Sequence, residues 1–150
     1  MRAREIENAD GRRTFAVTFD VGDEVAEGLL AFAREHRVNG AYFTAIGALE
    51  RVTLGFWDGE RREYRRIPIE EQVEVLSLAG NIALEPAKGV KVHAHIVVGK
   101  GDGTAHGGHL LQGHVRPTLE VIVVELPEQL RRTFDPRVGL ALLDTRASST

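Results

Sequence analysis

The chain has 150 residues, of which 43% are hydrophobic and 27% charged, and it carries a formal net charge of −3 and no cysteine. Without cysteine it forms no disulfide and offers no thiolate to a metal, and the negative charge gives no general attraction to nucleic acid. No run approaches the roughly 20 apolar residues of a membrane span, and the N-terminus lacks the apolar stretch of a signal peptide. We therefore expect a soluble cytoplasmic protein.

The first forty residues predict a strand followed by a helix. Apolar and polar residues alternate over residues 12–20, which is the period of a β-strand, and we take this segment as the first strand. Turn-forming residues come next, and apolar residues then recur at helical spacing. We expect one main amphipathic helix over residues 23–38, ended by Asn39 and Gly40.

The next segment predicts an antiparallel meander. Residues 41–49 and 51–58 are two runs rich in β-forming side chains. The second run ends in Asp58 and Gly59, a two-residue hairpin signal that leads into a strand over residues 61–69. The arginines of this last strand are interrupted by Glu63 and Tyr64 in the sequence, so a solvated edge is expected there.

Further strands are predicted on both sides of a histidine-rich region. Residues 71–84 have β character, and Gly80 with Asn81 in their middle indicates a bulge or a kink. After the histidines, residues 117–126 and 138–144 are hydrophobic and complete the sheet.

Together these elements predict an α+β fold: a single domain with a mainly antiparallel twisted β-sheet and one main helix. We place this domain over residues 1–150, with an ordered core over about 12–144. Residues 145–150 are small and polar, and we expect a mobile tail there.

The segment from Val90 to Gly113 contains four of the six histidines. Residues 90–98 predict a strand, on which His93 and His95 share one face about 6.6 Å apart. A glycine-rich turn then reverses the chain and brings His109, or His106, opposite this pair. Three neutral imidazoles are typical of a Zn²⁺ site with an open position, and they also suit another divalent metal. The alternative is a set of hydrogen-bonding residues on a half-exposed strand.

Glu120 lies within the hydrophobic run 117–126. A carboxylate among apolar neighbours needs a partner or a shifted pKa. We expect it to orient a metal-bound imidazole as a hydrogen-bond acceptor, or else to act as a general acid or base.

The sequence resembles the PPC ("plants and prokaryotes conserved") domain, and the resemblance spans nearly the whole chain. The residues that carry it are His93, Ala94, His95, Ile96, Gly101, Asp102, Gly103, Gly107, Gly108, His109, Leu110, Leu111, Gly113, Thr118, Leu119, Glu120, Val121 and Ile122. The order of an HxH motif followed by GGHLL is fairly specific. It also looks like the zinc ligands of acetolactate decarboxylase, which is similar in fold.

The PPC resemblance implies an α/β domain that assembles as a homotrimer, with zinc held near a subunit boundary. Carried onto this chain, the metal ligands are His93, His95 and His109. His106 does not match the family pattern and has at most a secondary role as a fourth ligand or proton carrier. His114 lies past Gly113 and is expected to be an exposed or hydrogen-bonded loop residue.

Two functions follow as hypotheses. The first is a trimeric zinc-binding module with DNA or protein partners, because PPC domains also occur behind AT-hook motifs in plant nuclear proteins. This chain has no AT-hook, so DNA binding would have to use the folded domain. The second is a zinc-dependent lyase or hydrolase that acts on a small carbonyl-containing molecule. A third possibility is that zinc only stiffens the assembly.

Overall fold

The computed structural model describes residues 1–10, 12–86 and 88–146. These residues form nine strands and one helix, in the order β1 Arg2–Ala9, β2 Arg12–Phe19, α1 Val25–Glu35, β3 Gly40–Asp58, β4 Glu63–Ile69, β5 Val73–Glu85, β6 Gly89–Gly99, β7 Ala105–Glu125, β8 Arg132–Asp135 and β9 Leu140–Leu143. The predicted fold class, a mainly antiparallel sheet with one helix, is confirmed. Within this described part no helix has the length and hydrophobicity to span a bilayer.

Seven strands form one antiparallel sheet in the order β1-β2-β7-β6-β5-β3-β4, and β3 pairs with β7 as well. The extra ladder joins residues 41–55 of β3 to residues 109–125 of β7. Hydrogen-bonded neighbours therefore run from β3 through β5, β6 and β7 back to β3, which closes these four strands into a circuit. Strands β8 and β9 form a separate two-stranded hairpin.

The core lies between the inner face of the sheet and α1. The Phe32 ring of α1 meets the Phe15 ring of β2 edge-on, with centroids 5.2 Å apart, and both side chains are buried. Glu24 caps the helix by accepting a hydrogen bond from the Glu27 amide at 2.7 Å. Its other carboxylate oxygen accepts from the Gly113 amide of β7 at 2.9 Å. One side chain thus satisfies a free helix donor and ties α1 to the strand that carries His109.

The strand predicted as the first is the second. β1 precedes it and pairs antiparallel with β2 along the sheet edge. The alternation of apolar residues failed to predict β1 because nearly all of its side chains are exposed. The helix is also shorter than predicted, since it begins after Glu24 and ends at Glu35.

The two runs predicted as separate strands over residues 41–58 form the single strand β3. The turn that follows has four residues rather than two, because Asp58 pairs with Glu63. The Asp58 carboxylate accepts from the amides of Glu60 and Arg61, both at 3.0 Å, and this stabilises the longer loop.

The irregularity of β5 lies between Val75 and Ser77, not at Gly80 and Asn81 as predicted. Gly80 continues the regular ladder. Its missing side chain leaves room for the Phe43 ring and the His93 carbonyl, both of which a Cβ atom would meet. This glycine therefore serves close packing beneath the histidine strand rather than a change of register. Of the predicted mobile tail, residues 147–150 lie outside the described residues, so that prediction stays open.

Candidate metal centre

The β6–β7 hairpin brings three histidines together. His93 and His95 alternate with the buried Ala94 on β6, so their side chains share the outer face of the sheet. His109 on β7 is the register partner of His95. The connecting turn is held by Asp102, whose carboxylate accepts from the Thr104 amide at 2.9 Å and the Thr104 hydroxyl at 2.6 Å. The predicted hairpin is confirmed, and of the two histidines predicted to face the HxH pair it is His109, not His106, that does so.

The three side chains, here called the histidine cluster, converge closely. One ring nitrogen from each lies within 4.8 Å of the others. The ring centroid of His93 lies 5.1 Å from that of His95 and 5.1 Å from that of His109. Zinc bonds of about 2.0–2.1 Å in a tetrahedral site imply nitrogens about 3.4 Å apart, so small side-chain rotations would bring the cluster to that spacing.

The electrostatics around His93 and His109 favour neutral imidazoles. Burial lowers the pKa of His109 to about 4, with further contributions from the neighbouring His93, His95 and Arg132. The pKa of His93 is lowered by burial first, and then by Arg132 and His95. Neutral imidazole is the form that ligates a metal, because a protonated ring nitrogen has no lone pair to give.

His109 also has an unsatisfied polar atom. Its Nδ1 is buried and has no hydrogen-bond partner among the described residues. Buried polar atoms of this kind are rare in folded proteins and call for an explanation, such as a bound ion. Three nitrogen donors, no competing thiolate and this orphaned nitrogen fit a divalent metal such as zinc. The residues present are therefore suited to a metal.

Tyr64 forms one wall of the cluster and was not predicted. Its ring stacks on that of His109 at a centroid distance of 4.6 Å and an interplanar angle of 19°. It reaches His109 across Gly55 of β3, where an added Cβ would come within 2.9 Å of the tyrosine ring. Burial raises the pKa of Tyr64, an effect that Arg132 opposes. The sequence signal for this contact is the glycine in a strand, which often marks the close approach of another group.

Arg132 at the start of β8 is the second residue that the sequence did not predict. It is 7% exposed, and its guanidinium donates to the Asn81 side-chain oxygen at 2.6 Å and to the Ala141 carbonyl at 3.1 Å. It lines a cleft of about 350 Å³, here called the Arg132 cleft, between the histidine cluster and the C-terminal hairpin. The lining residues are Tyr64, Glu85, Lys91, Val92, His93, His109, Arg132, Leu140, Ala141 and Leu142.

The structure does not bring the other predicted polar residues to the cluster. His106 is exposed and pairs with Val98, three positions from His109 and therefore on the opposite side of the strand. His114 lies within β7 rather than in a loop, with its Nε2 3.3 Å from the Gln112 side-chain nitrogen. Neither belongs to the group whose nitrogens converge.

Glu120 is separated from the histidines along β7. It lies eleven positions beyond His109, which is roughly 35 Å of extended strand. It is exposed between Thr18 of β2 and Ile46 of β3, where it lines a different depression. Within one chain it cannot contact a metal-bound imidazole, so the predicted orienting or acid–base role has no support from this geometry.

A family model described as the Plants and Prokaryotes Conserved (PCC) domain matches residues 6–127. The chain belongs to this family, which is the PPC family that its sequence resembles. The Arg132 cleft is built in part from residues beyond the matched region, since β8 and β9 follow residue 127.

Solved structures agree with this assignment. A metal-containing protein of Archaeoglobus fulgidus is 34% identical, with a TM-score of 0.79 over 87% of this chain and 91% of that one. A PPC protein of Pyrococcus horikoshii is 30% identical, with a TM-score of 0.82 over 91% of this chain and 94% of that one. A protein of Bacteroides thetaiotaomicron described as a candidate DNA-binding protein is 28% identical, with a TM-score of 0.83 over 94% and 96%.

Two weaker similarities concern larger proteins. A Staphylococcus aureus protein described as similar to α-acetolactate decarboxylase has 11% identity and a TM-score of 0.52, over 74% of this chain and 51% of that one, which shows a likeness of fold alone. The bifunctional protein GlmU of Synechococcus sp. strain JA-3-3Ab is 27% identical over 130 residues, which are 85% of this chain. The match spans only 20% of the length of that relative.

Proposed function

We propose that this protein is a PPC module that binds zinc through His93, His95 and His109. The observation that carries the proposal is the convergence of three ring nitrogens within 4.8 Å. One of the three side chains, His109, also has a buried nitrogen that no described residue hydrogen-bonds. Zinc suits a site made only of imidazoles, which leaves a fourth position open. The description of the A. fulgidus relative as a metal-containing protein supports the same conclusion.

We also propose that the module assembles as a homotrimer. The outer face of the sheet exposes Tyr42, Ile46 and Ile122, with Ile46 61% exposed and Ile122 41% exposed. The latter two line a largely apolar depression of about 410 Å³. Contiguous apolar surface of this kind often marks a protein interface, and the family resemblance favours three subunits. The histidine cluster lies on the same outer face of the closed sheet.

Metal content and molecular mass of the untagged protein test both proposals. After expression in zinc-replete medium and purification without chelators, we expect near-stoichiometric zinc by plasma mass spectrometry. Native mass spectrometry is expected to give the mass of a trimer. Protein that is folded but carries no divalent metal, even after incubation with zinc, would rule out the metal site. A monomer at micromolar concentration would rule out the trimer.

A DNA-associated role is a second candidate, favoured by the description of the B. thetaiotaomicron relative and by the edge strand β4. Arg65 and Arg66 on this strand are exposed, and the Arg65 guanidinium lies over the exposed Phe56 ring at 5.2 Å. Exposed cations beside an aromatic ring suit a phosphate backbone and its bases.

A fluorescent DNA duplex tests this candidate by anisotropy. If β4 binds DNA, we expect duplex binding to persist at near-physiological salt and to weaken when Arg65 and Arg66 are both replaced by alanine. Because each phosphate contact adds to the salt dependence, the double variant should also have a shallower salt slope. Binding confined to low salt would identify nonspecific attraction and refute the role.

The enzymatic alternative, a zinc-dependent lyase or hydrolase acting on a small carbonyl-containing molecule, is favoured by the Arg132 cleft. A metal in the histidine cluster would polarise a carbonyl group or lower the pKa of water. The chain itself provides an open cleft beside the imidazoles and a buried cation. It offers Tyr64 as a hydroxyl group at the cleft wall, whereas Glu120 lies elsewhere.

A further inference from the structure

Arg132 is a buried cation without an anionic partner. No Asp or Glu of the described residues forms an ion pair with it, and its guanidinium is held instead by the neutral oxygens of Asn81 and Ala141. The acidic member of the cleft, Glu85, partly offsets the lowering of the Arg132 pKa by burial, but its carboxylate pairs with Lys88 at 2.6 Å. An arginine that is buried without a carboxylate in direct contact is unfavourable for folding alone, so its presence calls for a ligand of opposite charge.

The guanidinium also keeps unused donors. It has five N–H groups, of which Asn81 and Ala141 occupy two. The Nε atom is buried and has no partner among the described residues. Two of the five donors therefore orient the group, and the second N–H groups of the two terminal nitrogens are left for an acceptor in the cleft.

Arg132 lies beside the histidine cluster. His93 and His109 line the same cleft, and the positive charge of Arg132 contributes to lowering the pKa of both imidazoles. A molecule in this space would therefore lie beside both the arginine and two of the three imidazoles. Apolar side chains of Val92, Leu140 and Leu142 form part of the remaining wall.

We propose that the Arg132 cleft binds a small organic carboxylate, with its carboxylate group held by Arg132 and its body directed toward the histidine cluster. This inference rests on the proposed metal-binding function, because it makes the cluster the neighbour of the bound molecule. A planar carboxylate matches the fork of a guanidinium. The volume of about 350 Å³ and the apolar wall suit a body of a few carbon atoms.

Calorimetric titration with butyrate tests the proposal on zinc-loaded protein. We expect saturable binding of butyrate and none of butyramide, which has the same shape but no charge. Arg132→Met should weaken butyrate binding by roughly ten- to a hundredfold, as expected for loss of a charged hydrogen bond. The matched control is Arg137→Met, which removes a cation that is 86% exposed on the same hairpin and should change binding less than about twofold.

Zinc content is measured on the same samples so that the two proposals can fail separately. Zinc-loaded protein that does not bind butyrate refutes the carboxylate site and leaves the metal site intact. Protein that never holds zinc but binds butyrate through Arg132 refutes the metal site alone. Equal binding by wild type and Arg132→Met, or tighter Arg132-dependent binding of inorganic phosphate, overturns the assignment to a carboxylate.

Arg132 also anchors the C-terminal hairpin, so Arg132→Lys is titrated in parallel. Lysine keeps the positive charge but loses the planar fork, and we expect it to bind butyrate more weakly than wild type. If Arg132→Met does not fold, the titration of Arg132→Lys tests the proposal alone. Butyrate binding as tight as that of wild type would then show that the planar guanidinium is not used and would overturn the proposal. Loss of zinc from a folded Arg132→Met variant would show that Arg132 supports the metal site instead, and would overturn the proposal.

Discussion

Replacement of His109 by alanine is expected to abolish zinc retention during purification. Changes in groups that only support metal ligands lower metal affinity by roughly 10- to 100-fold, so loss of a ligand itself should exceed about a hundredfold. His109 is the strongest choice among the three because its buried Nδ1 has no partner in the part of the chain that the structure describes. It is also the histidine that β7 adds to the pair on β6. Competition with a zinc-binding dye would measure the affinity of both proteins.

His106→Ala is the matched control for this experiment. It removes the same side chain from the same strand, three positions away, on the side opposite to His109. We expect its zinc affinity to match wild type. Circular dichroism establishes that both variants are folded. Equal zinc affinity of His109→Ala and wild type would remove His109 from the ligand set, and equal losses in both variants would suggest a less specific role for the histidines.

Phe32→Ala is expected to have the largest effect on stability. Phe32 is fully buried on α1, and its ring lies 5.2 Å from that of Phe15 and 4.8 Å from that of His36, centroid to centroid. Truncation of a buried phenylalanine lowers the free energy of unfolding by about 3–5 kcal/mol, because it removes apolar contacts and leaves a cavity. For a chain of this size, the melting temperature should fall by roughly 10 °C.

Phe134→Ala controls for the chemistry of the change, since Phe134 is 59% exposed on β8. We expect its free energy of unfolding to stay within about 0.5 kcal/mol of wild type. Both free energies come from urea unfolding of metal-free protein, followed by fluorescence. Phe32→Ala should still bind zinc at temperatures where it is folded, because the histidine cluster lies on the outer face. A stability loss below about 1 kcal/mol would contradict the packing described for α1.

The histidine cluster could be predicted from sequence because its geometry is local. The alternation of side chains on a strand fixes the common face of His93 and His95, and a glycine-rich reversal brings back His109 or His106. The choice between His109 and His106 depends on the register of the hairpin. That register is set by the turn around Asp102 and Thr104, which no periodicity in the sequence reports.

The walls of the site could not be predicted in the same way. Tyr64 reaches His109 over Gly55 of a third strand, and Arg132 comes from a hairpin that follows the sheet. Both contacts join residues that are distant along the chain, and hydrophobic patterns do not encode such contacts. Glu120 shows the opposite error: its apolar neighbours suggested burial, but its own side chain points to the exposed face of β7.

Strand boundaries were hard to predict for a related reason. The polar pair Glu50 and Arg51 suggested a break between two strands, yet β3 continues through them with shifts of register against β7. A polar side chain on the outer face of a strand leaves its backbone hydrogen bonds intact, so polarity alone does not end a strand. β1 was missed because an exposed edge strand can lack apolar alternation altogether.

The closed circuit of β3, β5, β6 and β7 and the hairpin of β8 and β9 differ in how readily they open. The backbone at His109 is flanked by paired strands on both sides, and amides in such positions exchange with solvent only when much of the sheet separates. The hairpin consists of two four-residue strands, and short isolated ladders open in local fluctuations. The backbone around His109 is thus expected to open only together with much of the sheet, whereas the C-terminal wall of the Arg132 cleft opens in local fluctuations.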